Sequence, residues 1–329
     1  MIIDVENHFS LVEETVKGTF KSGKICERYW DKDGKIKIRQ SEDAASIERF
    51  LQFMEDAGID MAVLTNQSRK LDRHKKWHDL CAGLVKKYPK KFVGFATINP
   101  LDGKPALDEL ERAIKDLGLK GVHIWARNYD AFLDSKEMWP FYEKVSELEV
   151  PIDVHIMGFP TGFDALQASY ALYYVIAREF DMAASVLRVC LGGVLEEFPD
   201  LKLIMNHFGG GVSSVMERLD AYLSYADQDG WSDFYSGKRL ISKPWREYFN
   251  KLYFSMAGRE AGIETVKCAL TNISPKKMMF ATDWPWNYDY EPEKVKQYVA
   301  AIRKLDLPKD DIEGMLGGNI ARLLGIGGV

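Results

Sequence analysis

The chain has 329 residues, of which 46% are hydrophobic and 28% are charged. These are the proportions of an ordinary soluble globular protein, and a chain of this length can bury a large core. The formal net charge is −5 and the sequence has no long block of Lys and Arg. It therefore lacks the basic surface on which nucleic-acid binding depends. No uninterrupted apolar run approaches the roughly 20 residues that a membrane-spanning helix needs.

The cysteines are scattered and do not form the close pairs of metal-binding or redox motifs. Cys26, Cys81, Cys190 and Cys268 are therefore predicted to be free thiols, as in a reducing cytoplasm. The first residues have no basic stretch followed by a long apolar one, so we expect no signal peptide. Together these features predict a cytoplasmic protein.

Short apolar segments rich in Val, Ile and Phe recur along the chain, which is typical of strands buried on both faces. Amphipathic helical patterns lie between most of them, as at Ala44–Ala57, Lys70–Lys87 and Leu107–Leu117. This alternation indicates a parallel sheet, and eight units favour a closed (β/α)8 TIM barrel formed by residues 1–329 as one domain. No GxGxxG follows the first strand, which argues against a Rossmann domain. The predicted strands are Ile2–Val5, Met61–Leu64, Phe92–Ile98, Gly121–Ile124, Ile152–Ile156, Leu201–Asn206, Leu252–Met256 and Met278–Thr282.

Two stretches interrupt the repeat of strand and helix. Lys17–Gln40 is polar and charged, and Asp220–Asn250 is rich in Tyr, Trp, Asp and Gly. Both follow strands with candidate site residues at their ends. We expect them to be loop insertions over the C-terminal face of the barrel. The alternative is that they are surface insertions or subunit contacts.

Metal-binding side chains follow several predicted strands, where the active sites of barrels lie. Glu6 and His8 end the first strand, His155 ends the fifth and Asp283 follows the eighth. Glu6 and His8 are two residues apart, so a strand points them to the same face. Imidazole nitrogens and carboxylate oxygens bind borderline divalent metals. The sequence therefore predicts one metal site formed by these four residues.

The sequence has six histidines, and two of them are not expected to belong to the metal site. His74 and His78 are four residues apart on a charged helix, where they could form a metal pair but are expected to face solvent. His123 and His207, like His8 and His155, lie at or near predicted strand ends. A single histidine there is usually a packed core residue. Several that converge with two carboxylates are better explained as a functional site.

These motifs, taken in order, resemble the amidohydrolase superfamily over nearly the whole chain. Within it they are similar to the amidohydrolase-2 branch, which contains aminocarboxymuconate-semialdehyde, γ-resorcylate and 5-carboxyvanillate decarboxylases. The ExH motif Val5-Glu6-Asn7-His8-Phe9 stands where the superfamily usually has HxH, and it is similar to the two latter enzymes. The other matching segments are Phe198–Gly211, Ala281–Pro285 and Gly317–Leu323. The resemblance also implies a substrate-binding role for Arg218, eleven residues after His207.

The sequence departs from the family pattern at two strand ends. The family often has Pro directly after the strand-five histidine, whereas Ile156 follows His155 here. Hydroxybenzoate decarboxylases usually carry Glu two or three residues after the strand-six histidine, where this chain has Gly209–Gly211. Lys120 precedes the fourth strand, and no counterpart of the metal-bridging Lys is evident, so we expect one metal ion, Zn or Mn. These departures leave the substrate unnamed.

The resemblance implies non-oxidative decarboxylation of a small-molecule aromatic or unsaturated carboxylic acid. In this reading Asp283 donates a proton to carbon, His207 orients the substrate or shuttles a proton, and Arg218 holds an anionic oxygen. The alternative is hydrolysis of a lactone, amide or related bond by a metal-activated water. A non-catalytic metal-binding barrel is a third reading.

Aromatic side chains beyond the strand ends could form the walls of a substrate pocket, although each could equally pack beneath a loop. The aromatic-rich insertions also make a homo-oligomer, a dimer or tetramer, plausible. The candidate pocket residues are His123, Trp125, Phe159, Trp284 and Trp286.

Overall fold

Parallel strands follow one another around the core in sequence order. The computed structural model describes residues 1–18, 20, 23–32, 36–156, 160–166, 170, 172–228, 240–288 and 291–326. All eight predicted strands are present, most within two residues of their predicted ends. They are β1 (Ile3–Asp4), β2 (Met61–Leu64), β3 (Phe92–Gly94 and Ala96–Thr97), β4 (Val122–Trp125), β5 (Ile152–His155), β6 (Leu203–Met205), β7 (Tyr253–Ala257) and β8 (Met278–Ala281).

Hydrogen bonds close these strands into a barrel. Regular pairing runs from β1 to the first half of β3, and from the second half of β3 through β4, β5, β6 and β7 to β8. Phe95 joins the two halves of β3, and its N–H donates to the carbonyl of Leu64 at 3.0 Å. At the other seam the N–H of Val5 donates to the carbonyl of Phe280 at 3.1 Å. The predicted (β/α)8 barrel is confirmed.

Amphipathic helices cover the outside of the barrel because each has one apolar face. In α1 that face carries Phe50, Phe53 and Met54, which are buried against the strands. Ser46 caps its first turn and Gly58 ends it in the left-handed conformation. The helices of six or more residues in the described part are α1 (Ile47–Ala57), α2 (Leu71–Lys87), α3 (Lys104–Lys115), α4 (Trp139–Leu148), α5 (Arg178–Leu191), α6 (Met216–Gln228), α7 (Gly258–Ala269), α8 (Pro292–Ile302) and α9 (Asn319–Leu324).

The expectation that His74 and His78 face solvent is wrong. Both imidazoles are fully buried between α2 and the barrel. His78 lies 2.7 Å from the Glu109 carboxylate on α3 and accepts from the N–H of Thr97 at 3.0 Å. His74 lies 3.0 Å from the carbonyl of Ser68. Because their partners lie on other elements, the two histidines connect α2 to the rest of the fold. The four-residue spacing on one helix could not predict these partners.

The first insertion reaches across the C-terminal face of the barrel. It forms an antiparallel hairpin of Cys26–Trp30 and Ile36–Gln40. Arg28 on this hairpin packs over the ring of Tyr174, at 4.7 Å from its centroid. Tyr174 follows β5, on the opposite side of an eight-stranded ring from β1. The contact therefore places the hairpin over the barrel mouth, as expected of Lys17–Gln40.

The second insertion is largely helical where it is described. Asp220–Gln228 continues α6, and Trp245–Phe249 forms a short helix. The hydroxyl of Ser242 donates to Glu196 at 2.7 Å, and Glu196 precedes β6. The segment from 240 to 250 therefore packs at the N-terminal end of the barrel, away from the mouth, which corrects the expectation for this part of Asp220–Asn250 in favour of a surface insertion. Residues 229–239 lie outside the described part.

Apolar side chains fill the barrel below its C-terminal rim. Ile3, Val63, Phe95, Ile204 and Met279 form this inner cluster. A larger apolar shell lies between the strands and the helices. None of the described helices combines the length and the apolar character that crossing a bilayer requires.

Candidate metal centre

Four ionisable side chains meet at the C-terminal rim of the barrel. Glu6, His8, His155 and Asp283 each offer one ligand atom, and these atoms all lie within 4.8 Å of one another. Glu6 and His8 follow β1, His155 ends β5 and Asp283 follows β8. Each side chain is at most 2% exposed. The structure thus brings together the four residues that the sequence predicts as metal ligands.

The atoms that face the centre of this cluster lack hydrogen-bond partners among the described residues. They are Glu6 Oε1, His8 Nε2, His155 Nε2 and Asp283 Oδ1. Buried polar atoms without partners are costly. One divalent cation among them would satisfy all four, because carboxylate oxygens and imidazole nitrogens are its ordinary ligands. The cluster is therefore suited to one metal ion.

The remaining polar atoms of the four side chains are held by neighbours. Ser255 on β7 donates a short hydrogen bond to Glu6 Oε2, and Asn287 donates to Asp283 Oδ2 at 3.0 Å. His8 Nδ1 lies 3.3 Å from the Thr65 hydroxyl, and His155 Nδ1 lies 2.9 Å from the carbonyl of Ile156. Contacts of this kind fix the orientation of metal ligands.

Electrostatics keeps the two carboxylates ionised even though they are buried. Burial acts to raise the pKa of Glu6, but His207 and His155 outweigh it and hold that pKa well below its usual value. Burial also acts to raise the pKa of Asp283, but His155 and His8 bring it below the usual value. Burial lowers the pKa of His8 to about 4. Burial acts to lower the pKa of His155, but Asp283 and Glu6 raise it above its usual value, so a cation bound here would displace a proton from that imidazole.

His207 and His123 lie beside the cluster. His207 Nε2 is 3.0 Å from Glu6 Oε1, and its Nδ1 is 3.3 Å from Glu179 Oε1 on α5. Burial acts to lower the pKa of His207, but Glu6 and Glu179 raise it well above its usual value. His123 Nδ1 is 2.6 Å from Asp153 Oδ2, and its ring lies 5.7 Å from that of His155. Both histidines therefore belong to the wall of the site.

The segment after β6 is a left-handed turn. His207, Phe208 and Gly209–Gly211 all have φ between 51° and 70°. Glycine adopts this region without steric cost. A Cβ on Gly210 would overlap the carbonyl oxygen of Glu179 and lie 2.7 Å from the Ala183 nitrogen. The glycines at the position where the resemblance places Glu thus let this turn pack directly on α5.

Comparison with known proteins identifies the family. The amidohydrolase family model matches residues 3–326. This chain belongs to the amidohydrolase family. The γ-resorcylate decarboxylase of Polaromonas sp. (strain JS666) is 27% identical over 311 residues, which cover 88% of this chain and 89% of the relative.

Solved structures of amidohydrolases share the fold. The 2,6-dihydroxybenzoate decarboxylase from Rhizobium superposes with a TM-score of 0.76 at 20% identity, covering 98% of each chain. A dihydroxybenzoic acid decarboxylase from Polaromonas sp. JS666, with bound manganese and the inhibitor 2-nitroresorcinol, has a TM-score of 0.74 at 22% identity. That match covers 98% of this chain and 96% of the neighbour.

The structure places the other predicted residues of this amidohydrolase in different surroundings. Trp125 packs edge-on against His155, with ring centroids 5.5 Å apart. Trp286 is half-buried in the turn after Asp283. Trp284 is fully buried and stacks on Phe50 at 4.4 Å, so it packs in the core and does not line the site. Phe159 lies outside the described residues.

Arg218 is exposed on α6, where it lies 3.3 Å from the Tyr222 hydroxyl. No contact between Arg218 and the metal cluster is seen among the described residues. A different arginine lies near the cluster. Arg69, after β2, stacks over the ring of Trp125 at 4.5 Å. Arg69 and His8 also line a cavity of about 400 Å³.

Two residues that contact the site, Ser255 and Glu179, are not predicted by the sequence analysis. Ser255 lies in the middle of a strand, and Glu179 lies on a helix that was not delimited. A buried serine within the apolar run Tyr253–Ala257 was a usable signal, since a polar residue there needs a partner. Nothing in the local sequence of Glu179 indicates that it meets His207.

Proposed function

We propose that this amidohydrolase is a metal-dependent, non-oxidative decarboxylase of an aromatic, hydroxybenzoate-like or ring-derived unsaturated carboxylic acid. The observation that carries the proposal is the buried cluster of Glu6, His8, His155 and Asp283, whose four facing atoms lack hydrogen-bond partners in the described part of the chain. The similarity to γ-resorcylate decarboxylase along most of both chains supports the reaction class.

The four residues would hold one Zn or Mn ion. Two carboxylates and two imidazoles suit either metal and leave coordination positions for substrate oxygens. When bound, the ion would act as a Lewis acid toward a carboxylate and an adjacent oxygen of the substrate. Ser255 and Asn287 orient the two carboxylates for this task through their hydrogen bonds to Glu6 and Asp283.

The chain itself supplies the proton that decarboxylation requires. Protonation of the carbon that carries the carboxylate lets the C–CO2 bond break. Its electron pair then returns to the ring as CO2 leaves. Asp283 is the proposed donor to carbon. Because His155 and His8 outweigh burial and keep its carboxylate ionised, it must first take up a proton from another group of the site. His207 holds its proton strongly, because Glu6 and Glu179 raise its pKa, and it is the proposed source from which the site is reprotonated.

Cationic and aromatic side chains at the mouth suit an anionic aromatic substrate. Arg69, Lys70 and Arg73 line the cavity beside His8, together with Glu13 and Glu14. Trp125 provides an aromatic wall next to His155. A planar acid could lie against this wall with its anionic group toward the metal ligands.

We propose that Arg218 acts on the site of a neighbouring subunit in a homo-oligomer. Arg218 is exposed in a single protomer, so we propose a homo-oligomer, a dimer or tetramer, in which α6 and the hairpin lie near a neighbouring site. Trp30 is 60% exposed on the hairpin, which fits a subunit contact. Light scattering coupled to size-exclusion chromatography would measure the assembly, and a monomer would contradict this proposal.

We also propose that the protein works in the cytoplasm. Cys81 and Cys190 are buried free thiols, and Cys268 is an exposed one. Free thiols persist in reducing compartments.

A substrate panel tests the proposed reaction. The protein, loaded with Mn or with Zn, is incubated with hydroxybenzoates and ring-opened acids while CO2 release is measured. We expect CO2 release from at least one acid, and its loss in Asp283→Asn with the circular dichroism spectrum unchanged. Release of an alcohol or a carboxylate without CO2 would point to hydrolysis. Full activity of the metal-free protein would contradict metal dependence.

A further inference from the structure

His207 lies between two carboxylates of different origin. Glu6 from β1 is 3.0 Å from Nε2, and Glu179 from the first turn of α5 is 3.3 Å from Nδ1. The imidazole is 5% exposed and the Glu179 side chain 23%. Glu6 belongs to the metal cluster. Glu179 does not, and the reaction described above gives it no step of its own.

The backbone of the left-handed turn fixes the position of Glu179 beside His207. The turn presses Gly210 against the first residues of α5, at the carbonyl of Glu179 and the nitrogen of Ala183. No residue with a Cβ could approach so closely. The N–H of His207 also donates to the Ser255 hydroxyl at 3.1 Å. The packing of the turn on α5 and the hydrogen bond to Ser255 thus fix the backbone of His207. The orientation of its imidazole then depends on the contacts of the two ring nitrogens.

The Glu179 carboxylate faces one particular ring nitrogen of His207, Nδ1. An ionised carboxylate can only accept a hydrogen bond, so its contact with Nδ1 requires a proton there. With Nδ1 bound to Glu179, the ring plane directs Nε2 toward Glu6 and the metal cluster. A carboxylate on the far nitrogen of a histidine commonly fixes both the tautomer and the ring orientation.

We propose that Glu179 is the positioning residue of His207. It keeps a proton on Nδ1 whether or not Nε2 carries one, and it aims Nε2 at the substrate. The expected effect of this assignment on catalysis rests on the proposed decarboxylase function. The tautomer and orientation of His207 do not depend on which reaction the site performs.

Two variants separate the hydrogen bond from other effects of the side chain. Glu179→Ala removes the acceptor, whereas Glu179→Gln keeps an acceptor oxygen at the same length. Glu217→Ala is the matched control, because Glu217 is an exposed acid at the same second position of α6. All three lose one negative charge from the second residue of a helical segment that continues a preceding turn of helix.

We expect kcat of Glu179→Ala to fall by about ten- to a hundredfold, the usual effect of losing such a support. KM and the metal content should remain at wild-type values. Glu179→Gln should recover most of the loss, and Glu217→Ala should match wild type. A kcat of Glu179→Ala within twofold of wild type would overturn the proposal. So would a loss of bound metal in proportion to the loss of activity, since Glu179 would then act on the metal site.

A spectroscopic readout tests the proposal without any turnover. In zinc-loaded protein with 15N-labelled histidine, the His207 ring shifts should report a protonated Nδ1 in wild type and in Glu179→Gln. In Glu179→Ala they should move toward a mixture of tautomers. Unchanged His207 shifts in Glu179→Ala would overturn the assignment even if the protein decarboxylates its substrate. A failed substrate panel with the expected shifts would contradict the proposed function alone.

Discussion

Glu6 stands at the centre of the site because each of its two oxygens has a different task. Oε1 faces His155 at 3.4 Å and His207 at 3.0 Å, whereas Oε2 accepts from Ser255. The serine therefore leaves one oxygen for a metal ion. The serine hydroxyl also accepts from the N–H of His207. One side chain therefore fixes the position of a metal ligand relative to a proposed proton carrier.

Removal of the Ser255 hydroxyl should weaken metal binding. In Ser255→Ala, Glu6 Oε2 loses its partner and the carboxylate can rotate. We expect metal affinity to fall by about ten- to a hundredfold, as is typical for the loss of a hydrogen bond to a metal ligand. Competition with a chromogenic chelator measures the affinity.

Ser185→Ala is the control for this substitution. Ser185 is also fully buried, but its hydroxyl contacts the backbone carbonyls of Asp181 at 3.0 Å and Ala126 at 3.2 Å rather than a metal-ligand carboxylate. A comparable loss of metal affinity in both variants would show that the effect of Ser255 is general destabilisation.

The left-handed turn after β6 is the element that joins the barrel to α5. Gly210 and Gly211 have nearly the same φ, +66° and +70°. They differ in their surroundings, because a Cβ on Gly210 would overlap α5 whereas one on Gly211 would meet nothing within 4 Å. The pair therefore separates the cost of backbone conformation from the cost of packing.

Gly210→Ala should be much more destabilising than Gly211→Ala. Each alanine pays the conformational cost of the left-handed region, about 1–2 kcal/mol. Gly210→Ala must in addition push α5 and Glu179 away from His207. Chemical denaturation of both variants measures the difference in the free energy of unfolding. Equal destabilisation would mean that the turn does not pack on α5 as described.

A second link between elements joins α2 to α3 through Glu109. Its carboxylate contacts His78 at 2.7 Å and Arg112 at 2.8 Å. Burial acts to raise the pKa of Glu109, but His78 and Arg112 outweigh it and lower that pKa to about 2. The folded state thus binds a proton at Glu109 less readily than the unfolded chain does.

The sign of this shift predicts how a substitution depends on pH. A lowered carboxylate pKa contributes stability above the unfolded value of about 4.3, and this stability is lost as the pH falls toward 2. Glu109→Gln should therefore destabilise the protein by about 1–3 kcal/mol at pH 7, and the difference should shrink between pH 5 and 2. Denaturant titrations at several pH values measure it. Glu111→Gln, at a half-buried neighbour on α3 that pairs with Lys115 and Lys144, should show a smaller effect. A pH-independent difference for Glu109→Gln would contradict the pKa argument.

The strands were predictable from the sequence, whereas the contacts that the helices make were not. The eight apolar segments appear as strands because periodicity and composition are local properties. The burial of His74 and His78 depends on partners on other elements. The same holds for Glu179, whose place beside His207 is set by a left-handed backbone turn. The glycines allow this turn, but their presence in the sequence does not predict it.

At the scale of the whole molecule, the barrel topology explains why the metal cluster could be predicted. Parallel strands end on the same rim, so residues far apart in sequence meet there. Asp283 and Glu6 are joined directly, since the N–H of Asp283 donates to the carbonyl of Glu6 at 2.8 Å. Strand ends identified Glu6, His8, His155 and Asp283 without knowledge of the helices. The place of Arg218 could not be predicted this way, because it lies on a helix outside the ring.

A metal ion held by this cluster would connect the first, fifth and eighth strands across the ring. His8 and Asp283 lie on either side of the seam where β1 meets β8, and His155 lies on the opposite side. The ion binds the folded barrel and not the unfolded chain. It should therefore stabilise the fold by about 2.7 kcal/mol at a free metal concentration of 100 times Kd.

Chelation should accordingly lower the thermal midpoint of unfolding by several degrees, and added Mn or Zn should restore it. Differential scanning calorimetry in excess metal and after dialysis against a chelator measures the shift. His155→Ala should abolish the shift, because it removes the ligand from the far side of the ring. His74→Ala is the control: His74 is buried in α2, apart from the cluster, so the metal-dependent shift should persist even where the midpoint itself is lower. A wild-type midpoint independent of metal would contradict a metal site that spans the barrel.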